Sequence, residues 1–390
     1  MNLEDNRKPT GPRVLHGVKV LDFSCVISGP YCTRMMADLG AEVLKIEPPG
    51  GELLRAAPPH RNGASKLFSQ LNAGKRCITL DLKSPSSIDV VKRLVADVDV
   101  VVENFSPGVM NRLGIDYPAL RECNERLIMC SISGFGQTGP DASRPAFAPI
   151  VQAWSGYDAV TLHYQPTIDK PLNMGLPVAD NVASLQAFGA ISAALFYREK
   201  TGVGQYIDIA MFDALLGTMQ KDFQIILEPN TFDRIYGPIS TTDGFVLMML
   251  ISPRHFEALA DLIGQPELKT DPRFSTTPER LNHYAELMEI AAVWAKTRTS
   301  LEVLDALKDK HIPVSRYREI AETIDDPQLL HRNMMAETTD SGGPLRVPNS
   351  PFLFSATHAA IQPWVADIGQ HNEAVFRDEL GLDPTTLNID

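Results

Sequence analysis

Between Gly17 and Ile132 short apolar runs alternate with helical ones, and that alternation leaves few folds open to the chain. Gly17-Val18-Lys19-Val20-Leu21-Asp22-Phe23 reads as a buried strand. The turn Ser28-Gly29-Pro30 leads into a helix over Tyr31 to Leu39, closed by Gly40, and Ala41 to Ile46 is the next strand, with Glu47 at its end. A strand, a helix and a strand within about 30 residues mark parallel pairing, since neighbouring strands can run the same way only through a crossover. The unit returns. Arg76 to Asp81 is a strand, Ser84 to Val95 a helix with Ser84 as its N-cap, and Val98 to Glu103 a strand. Asn104 to Gly108 is a loop, helices follow over Val109 to Leu113 and Tyr117 to Asn124, and Leu127 to Ile132 is a further strand. The expected fold class is α/β, a Rossmann-like parallel sheet covered by helices. Ligands of such sheets sit at the carboxyl ends of strands, which singles out Ser24 to Gly29 and Glu47 to Arg55.

Gly175 to Met211 is where the chain places its chemistry. Asp180 follows the turn Gly175-Leu176-Pro177, and apolar residues at three and four spacing, Ala183, Ala187, Ile191 and Leu195 among them, make a buried helix. Gly202 is its natural stop, and Gly204 to Ile209 reads as a strand. Asp180 has two readings at this point. It is an N-cap that satisfies free backbone donors, or a reactive carboxylate acting as base or nucleophile. Local sequence leaves both open.

Other features narrow the classes. A net charge of −12 argues against nucleic-acid binding. The apolar runs fall short of a membrane span, and the polar N-terminus has no signal-peptide core. The five cysteines are odd in number and unpaired by motif, which points to reduced thiols in a cytoplasmic compartment and no zinc site. No GxGxxG follows the first strand, so a dinucleotide is not supported. Residues 1–16 read as a tail. Residues 252–310 are more charged and mostly helical, which sets off a smaller α+β domain over 225–325. The large domain is then 1–224 completed by 326–390. The end of the chain, 340–390, is rich in Pro and Gly and closes in a short helix over Gln370 to Leu380.

Several stretches in order, SGPYCTRMMADLGAEVLKIEPPGGELLR, LNAGKRCITLDLK, DVVVENFSPGVMNRLGI, SISGFGQTGP and REKTGVGQYIDIAMFDALL, resemble the class III CoA-transferase family, the CaiB/BaiF group. The resemblance covers nearly the whole chain. It implies that Asp180, opening the helix before the TGxGQ segment, is the nucleophile that takes CoA through an aspartyl-CoA thioester. It implies acyl-CoA and a carboxylic acid as partners, coenzyme A thioester as substrate with no tightly bound cofactor, and an interlocked homodimer, for which 200–225 and 325–350 read as linkers. By motif position it implicates Lys75 and Arg76, then Asn104, Phe105 and Ser106, and Arg112, in holding the CoA nucleotide. Ser133, Gly134, Phe135 and Gly136 would lie beside the thioester, with the Gly134 and Gly136 N–H groups as oxyanion donors.

There are departures. Ile27 stands where some relatives carry glutamine, against a formyl- or oxalyl-type substrate. The glycine-rich flap of some members is missing, since Arg234 to Ser240 holds one glycine, Gly237. Phe147 stands where α-methylacyl-CoA racemases carry the histidine of their proton-transfer pair, and phenylalanine moves no proton. The remaining alternative, a non-catalytic acyl-CoA-binding protein, would not need Asp180. Succinyl-CoA or another dicarboxylyl-CoA is the expected donor. Arg55, Arg61, Arg144 and Arg234 are each able to meet a distal carboxylate, and nothing in the sequence ranks them.

Overall fold

Six parallel strands organise the first unit of the chain. They are β1 (Lys19–Asp22), β2 (Glu42–Glu47), β3 (Arg76–Thr79), β4 (Val100–Glu103), β5 (Ile128–Ser133) and β6 (Tyr206–Ala210). Their spatial order is β3-β2-β1-β4-β5-β6, with every neighbouring pair parallel. The computed structural model describes residues 12–165, 167–172, 174–228, 236–250 and 252–387. Both faces of the sheet are covered, so its strands are apolar on both sides. Val20, Val100, Val102, Ile128 and Cys130 pack on one face with α1 (Ser28–Asp38). Leu21, Ile78, Val101 and Met129 pack on the other with α2 (Pro85–Val95) and the helical turn Ala374–Glu379. The helices α3 (Val109–Leu113) and α4 (Tyr117–Arg121) connect β4 to β5 on that second face. This strand order reverses direction between β1 and β4, and that reversal opens a crevice at their carboxyl ends.

The first face is completed by α5 (Ala148–Trp154) and by α6 (Val178–Thr201), which leads into β6 and α7 (Met211–Leu216). Ala179, Ala183, Ala187 and Ile191 of α6 are fully buried, and their small side chains let α6 lie close on α1 and β5. Gly202 ends the helix at φ 76°, where a side chain would be strained, and its N–H bonds Arg198 O at 2.7 Å. The expectation that no apolar run nears a membrane span needs correction. At 24 residues α6 is long and apolar enough to cross a bilayer by length and composition. Its small-residue stripe is spent instead on the protein core, and its last turn carries Arg198 and Lys200. Ala187→Leu should therefore overpack the α1–α6 contact and cost about 1–3 kcal/mol, read as a lower urea midpoint at unchanged m-value.

A second compact unit comprises Val160–Lys170 and Lys221–Asp326. It is built on an antiparallel sheet in which β8 (Phe245–Met248) lies between β7 (Ile239–Ser240) and β9 (Val314–Arg316). Helices α8 (Pro253–Leu262), α9 (Tyr284–Ala295) and α10 (Ser300–Lys308) bury Phe256, Leu259, Leu287 and Val303 with Phe274. Thr299 and Glu302 close a reciprocal capping box at the start of α10. The stretch 160–170 belongs to this unit although it lies well before residue 225.

From Pro327 the chain returns to the first unit through the hairpin β10 (Met335–Asp340) and β11 (Gly343–Pro348). The stretches expected as linkers are therefore structured. β6, α7 and a helix at Gln220–Leu227 fill 200–225, and a helical turn at Pro327–His331 and this hairpin fill most of 325–350. The tail expectation falls mostly on residues 1–11, which lie outside the described residues. Leu15 is not tail-like, since its N–H bonds Leu39 O at 2.9 Å.

Candidate active site

The crevice between β1 and β4 is built around a buried carboxylate. Asp22, the last residue of β1, is inaccessible to solvent. Its Oδ2 accepts from Lys75 Nζ at 3.1 Å and from Thr33 Oγ1 at 2.7 Å, and its Oδ1 accepts from the Ser24 N–H at 2.9 Å and from the Ser24 hydroxyl. Burial alone would raise its pKa, but the charges of Lys75 and Lys45 and the two hydroxyls outweigh it and hold the group at about 2. The result is a rigid start to the loop that follows.

That loop, Ser24 to Ile27, is fixed from three sides. Lys45 Nζ donates to Ser24 O at 2.6 Å. Asn104, just past β4, accepts from the Cys25 N–H at 2.9 Å and donates to Cys25 O at 2.8 Å. Glu52 Oε2 accepts from the Val26 N–H at 3.0 Å. Val26 sits at φ 64°, a region a β-branched residue enters only when its surroundings over-determine it. Gly29 must lack a side chain, because a Cβ there would fall 2.1 Å from Ser24 Cβ.

The loop delivers Ser28 to Asp180. Asp180 is the third residue of α6 and its N-cap is Pro177, so the capping reading does not hold. Instead, the Ser28 hydroxyl and N–H lie beside its carboxylate and favour the charged form. Ser28 Oγ accepts from Asn104 Nδ2 at 3.0 Å, so Asn104 orients the hydroxyl next to Asp180. Ser184 ties the two helices, with its Oγ 2.6 Å from Ser28 O and 2.7 Å from Asp180 O. Asp180 is 9 % exposed, enough for contact with a ligand at one edge. Burial pushes its pKa up to about 6 against the opposing pull of Ser28. Cys25 in the same loop is no rival nucleophile, since burial and the nearby Glu52 push its thiol up to about 11.

The other residues expected at the site divide. Phe135 flanks the core cluster that holds Ala179 and that Val178 and Val182 also flank. Ser133 Oγ is buried with no partner among the described residues. Gly134 O accepts from the Phe212 N–H at 3.0 Å, and Gly136 is buried at φ 88°. Asn104 donates to the Ser28 hydroxyl next to Asp180. Phe105 and the exposed Ser106 follow it, and Arg112 is exposed on α3, whose Met110 packs on the second face of the sheet. Arg76 also points to that second face, where it pairs with Glu379, and so does not join Asp180.

Lys75 requires a correction. Its ammonium is 1 % exposed, and its three N–H bonds go to Asp22, Pro30 O at 2.9 Å and Asn72 Oδ1 at 2.9 Å. A phosphate cannot reach it; it is an internal counter-ion. Ser28 and Glu52 were not singled out from the sequence, although Ser28 lies in the loop marked as the binding edge. Arg234 and Ile235, the first two residues of the segment compared with the glycine-rich flap, lie outside the described residues.

A reversed parallel sheet with a desolvated carboxyl group at its switch point is the frame of an α/β enzyme. Residues 15–372 match CoA-transferase family III, and the chain belongs to that family. It is 34 % identical over 388 residues to the succinyl-CoA–D-citramalate CoA-transferase of Chloroflexus aurantiacus, covering 95 % of each chain. It is 32 % identical over 393 residues to the succinate–glutarate CoA-transferase of Agrobacterium fabrum, covering 96 % of each. Among solved structures, a CaiB/BaiF family protein from Brucella suis matches with a TM-score of 0.80 and 30 % identity over 95 % of this chain and 100 % of that one. A Mycobacterium tuberculosis protein matches at 0.84 with 28 % identity, over 94 % of this chain and 99 % of that one.

Two outcomes follow from the burial. Lys75→Met should cost about 3–5 kcal/mol by leaving Asp22 without its main counter-charge, measured by urea unfolding, while CoA affinity of the folded fraction stays unchanged. Asp180→Asn should stabilise the protein at pH 7 by on the order of 2 kcal/mol. Because the native state holds the Asp180 proton more tightly than the unfolded chain, wild-type stability declines as pH rises from about 4 to about 6. The advantage of the variant should vanish below pH 4.

Proposed function

We propose that the chain moves CoA from a dicarboxylyl-CoA donor to a free carboxylic acid through a thioester on Asp180. One observation carries this reading: the Asp180 carboxyl group lies 9 % exposed at the start of α6 beside Ser28, and its burial, which lifts its pKa to about 6, supports a poorly hydrated carboxylate at neutral pH. A carboxylate is a weak nucleophile in water, where hydration spreads and screens its charge. Removing that shell raises its reactivity, and a dry site spares the intermediates from hydrolysis.

The steps balance without any external redox partner. An Asp180 oxygen attacks the thioester carbonyl and expels CoA thiolate, giving a mixed anhydride. The thiolate attacks the aspartyl carbonyl, which releases the donor's carboxylate and leaves aspartyl-CoA. The acceptor carboxylate attacks that thioester and again expels the thiolate. The thiolate then attacks the acyl carbonyl of the new anhydride, giving product acyl-CoA and free Asp180. Backbone N–H groups of Gly134 and Gly136 would meet the oxyanion that forms at each attack. Arg112 and Ser106, exposed beyond β4, are the groups we assign to the CoA phosphates, with Asn104 and Phe105 beside them and Arg76 further off. The relatives named for succinyl-CoA and for glutarate support a dicarboxylate pair. We assign the same reading to a cytoplasmic homodimer that takes CoA thioester as substrate and keeps no tightly bound cofactor.

Asp180→Ala should lower transfer by about four orders of magnitude while CoA still binds. Hydroxylamine added after acyl-CoA should label the peptide carrying Asp180 in wild type alone, as read by mass spectrometry. Near-normal transfer in the variant sinks the covalent route. Below about pH 6, kcat/KM should fall about tenfold per pH unit as Asp180 protonates. Ser28→Ala removes a donor that favours the charged form, so the acid limb should move to higher pH.

A further inference from the structure

Four arginines were able to meet the distal carboxylate of a dicarboxylyl substrate, and three of them have described positions. Arg55 is spent: its Nε and Nη2 hold both oxygens of buried Glu47, each at 2.7 Å. Arg61 is spent on Asp340 at 2.9 Å and on the backbone of the β10–β11 turn. Arg144 differs. Its guanidinium lies over the Trp154 ring at 3.7 Å from the centroid and over Phe135 at 5.3 Å. No acidic side chain among the described residues pairs with it.

Stacking fixes the plane of a guanidinium and occupies its faces, but leaves the N–H groups of its edge open. An edge with two parallel N–H bonds matches a carboxylate. Phe135 lies between Gly134 and Gly136 in the core cluster that Val178 and Val182 also flank, and Gln152 of α5 accepts from the Ala179 N–H at 3.4 Å at the start of α6. Arg144 thus contacts the loop after β5 through Phe135 and α5 through Trp154, and α5 meets the start of α6. Trp154 is 53 % exposed and Arg144 itself half-buried, so the pair lies at the surface of the first unit.

We infer that Arg144 is the specificity-determining residue for the acyl chain, binding the carboxylate remote from the reacting end of a dicarboxylic acid. This rests on the transferase reading above. Arg144→Gln keeps a planar polar group on Trp154 and removes the charge. With succinyl-CoA as donor and glutarate or pentanoate as acceptor, the variant should raise the KM for glutarate by about 10- to 100-fold. The pentanoate KM and the kcat for either acid should stay within about twofold. Arg144→Lys, which keeps the charge without the fork, should fall between. Equal losses on both acids overturn the assignment, as does a wild-type enzyme that prefers pentanoate to glutarate.

A binding arm separates this idea from the covalent one. Calorimetry with glutarate alone should show binding that Arg144→Gln abolishes and Asp180→Asn preserves. If no Asp180 adduct forms while glutarate binding still needs Arg144, the covalent reading falls and the present one stands. Glutarate binding indifferent to Arg144 overturns the present one whatever becomes of Asp180.

Discussion

A carboxylate at the end of a central strand has no water to turn to, and most of this site follows from that constraint. Asp22 leaves β1 where both faces of the sheet are closed. An unpaired charge there would cost several kcal/mol, so the surrounding chain supplies Lys75, two hydroxyls and a backbone N–H. Those partners come from α1, from the segment before β3 and from the loop itself. Satisfying Asp22 therefore fixes where the loop starts. Lys45, Asn104 and Glu52 fix where it goes, even through a backbone region that Val26 would avoid on its own. Ser28 is consequently presented to Asp180 by a frame that cannot easily shift.

The frame also decides which group reacts. Cys25 and Asp180 are both near the switch point, and a thiolate is intrinsically the better nucleophile. Burial acts on both in the same direction, because it disfavours whichever form is charged. The starting points differ. Burial pushes the Cys25 thiol up to about 11, well above neutral pH, and the Asp180 carboxyl only to about 6, just below it. The same desolvation that disarms the cysteine leaves the carboxylate charged and poorly hydrated. Ser28 contributes by favouring the charged form without surrounding it with water.

The architecture was open to reading because the strands are buried on both faces. Runs such as Val100 to Val102 are apolar without a break, and helices between them enforce parallel order. Asp180 was marked by its place before a small-residue helix, but the choice between cap and reactive group was not local. It turned on Ser28, which is 152 positions away in sequence and adjacent only through the α1–α6 packing. Lys75 failed for a related reason. A lysine in a polar turn looks solvated, and only the burial of Asp22 at 3.1 Å shows where its ammonium goes. The charge of Asp22 at the end of an apolar strand was the available clue, since such a group demands a cation. The hairpin β10–β11 was hidden by Pro and Gly, which read as loop although the strands between them pair over six positions.

Charge balance adds a final physical argument. The chain holds 48 acidic residues against 36 lysines and arginines, so acidic partners are in surplus. With acids in excess, the buried and half-buried arginines of the first unit find carboxylate partners. Arg34 bonds Asp38 at 2.8 Å, Arg55 bonds Glu47, and Arg198 bonds Asp99 at 2.7 Å. These pairs brace helices and strand ends, and their guanidinium edges are closed to ligands. Arg144 lies over two aromatic rings and pairs with no carboxylate among the described residues. Two rings contribute orientation without neutralising the charge, which an ion pair cannot do. A site built to receive an anion needs that combination, and residue 144 meets it beside the loop after β5.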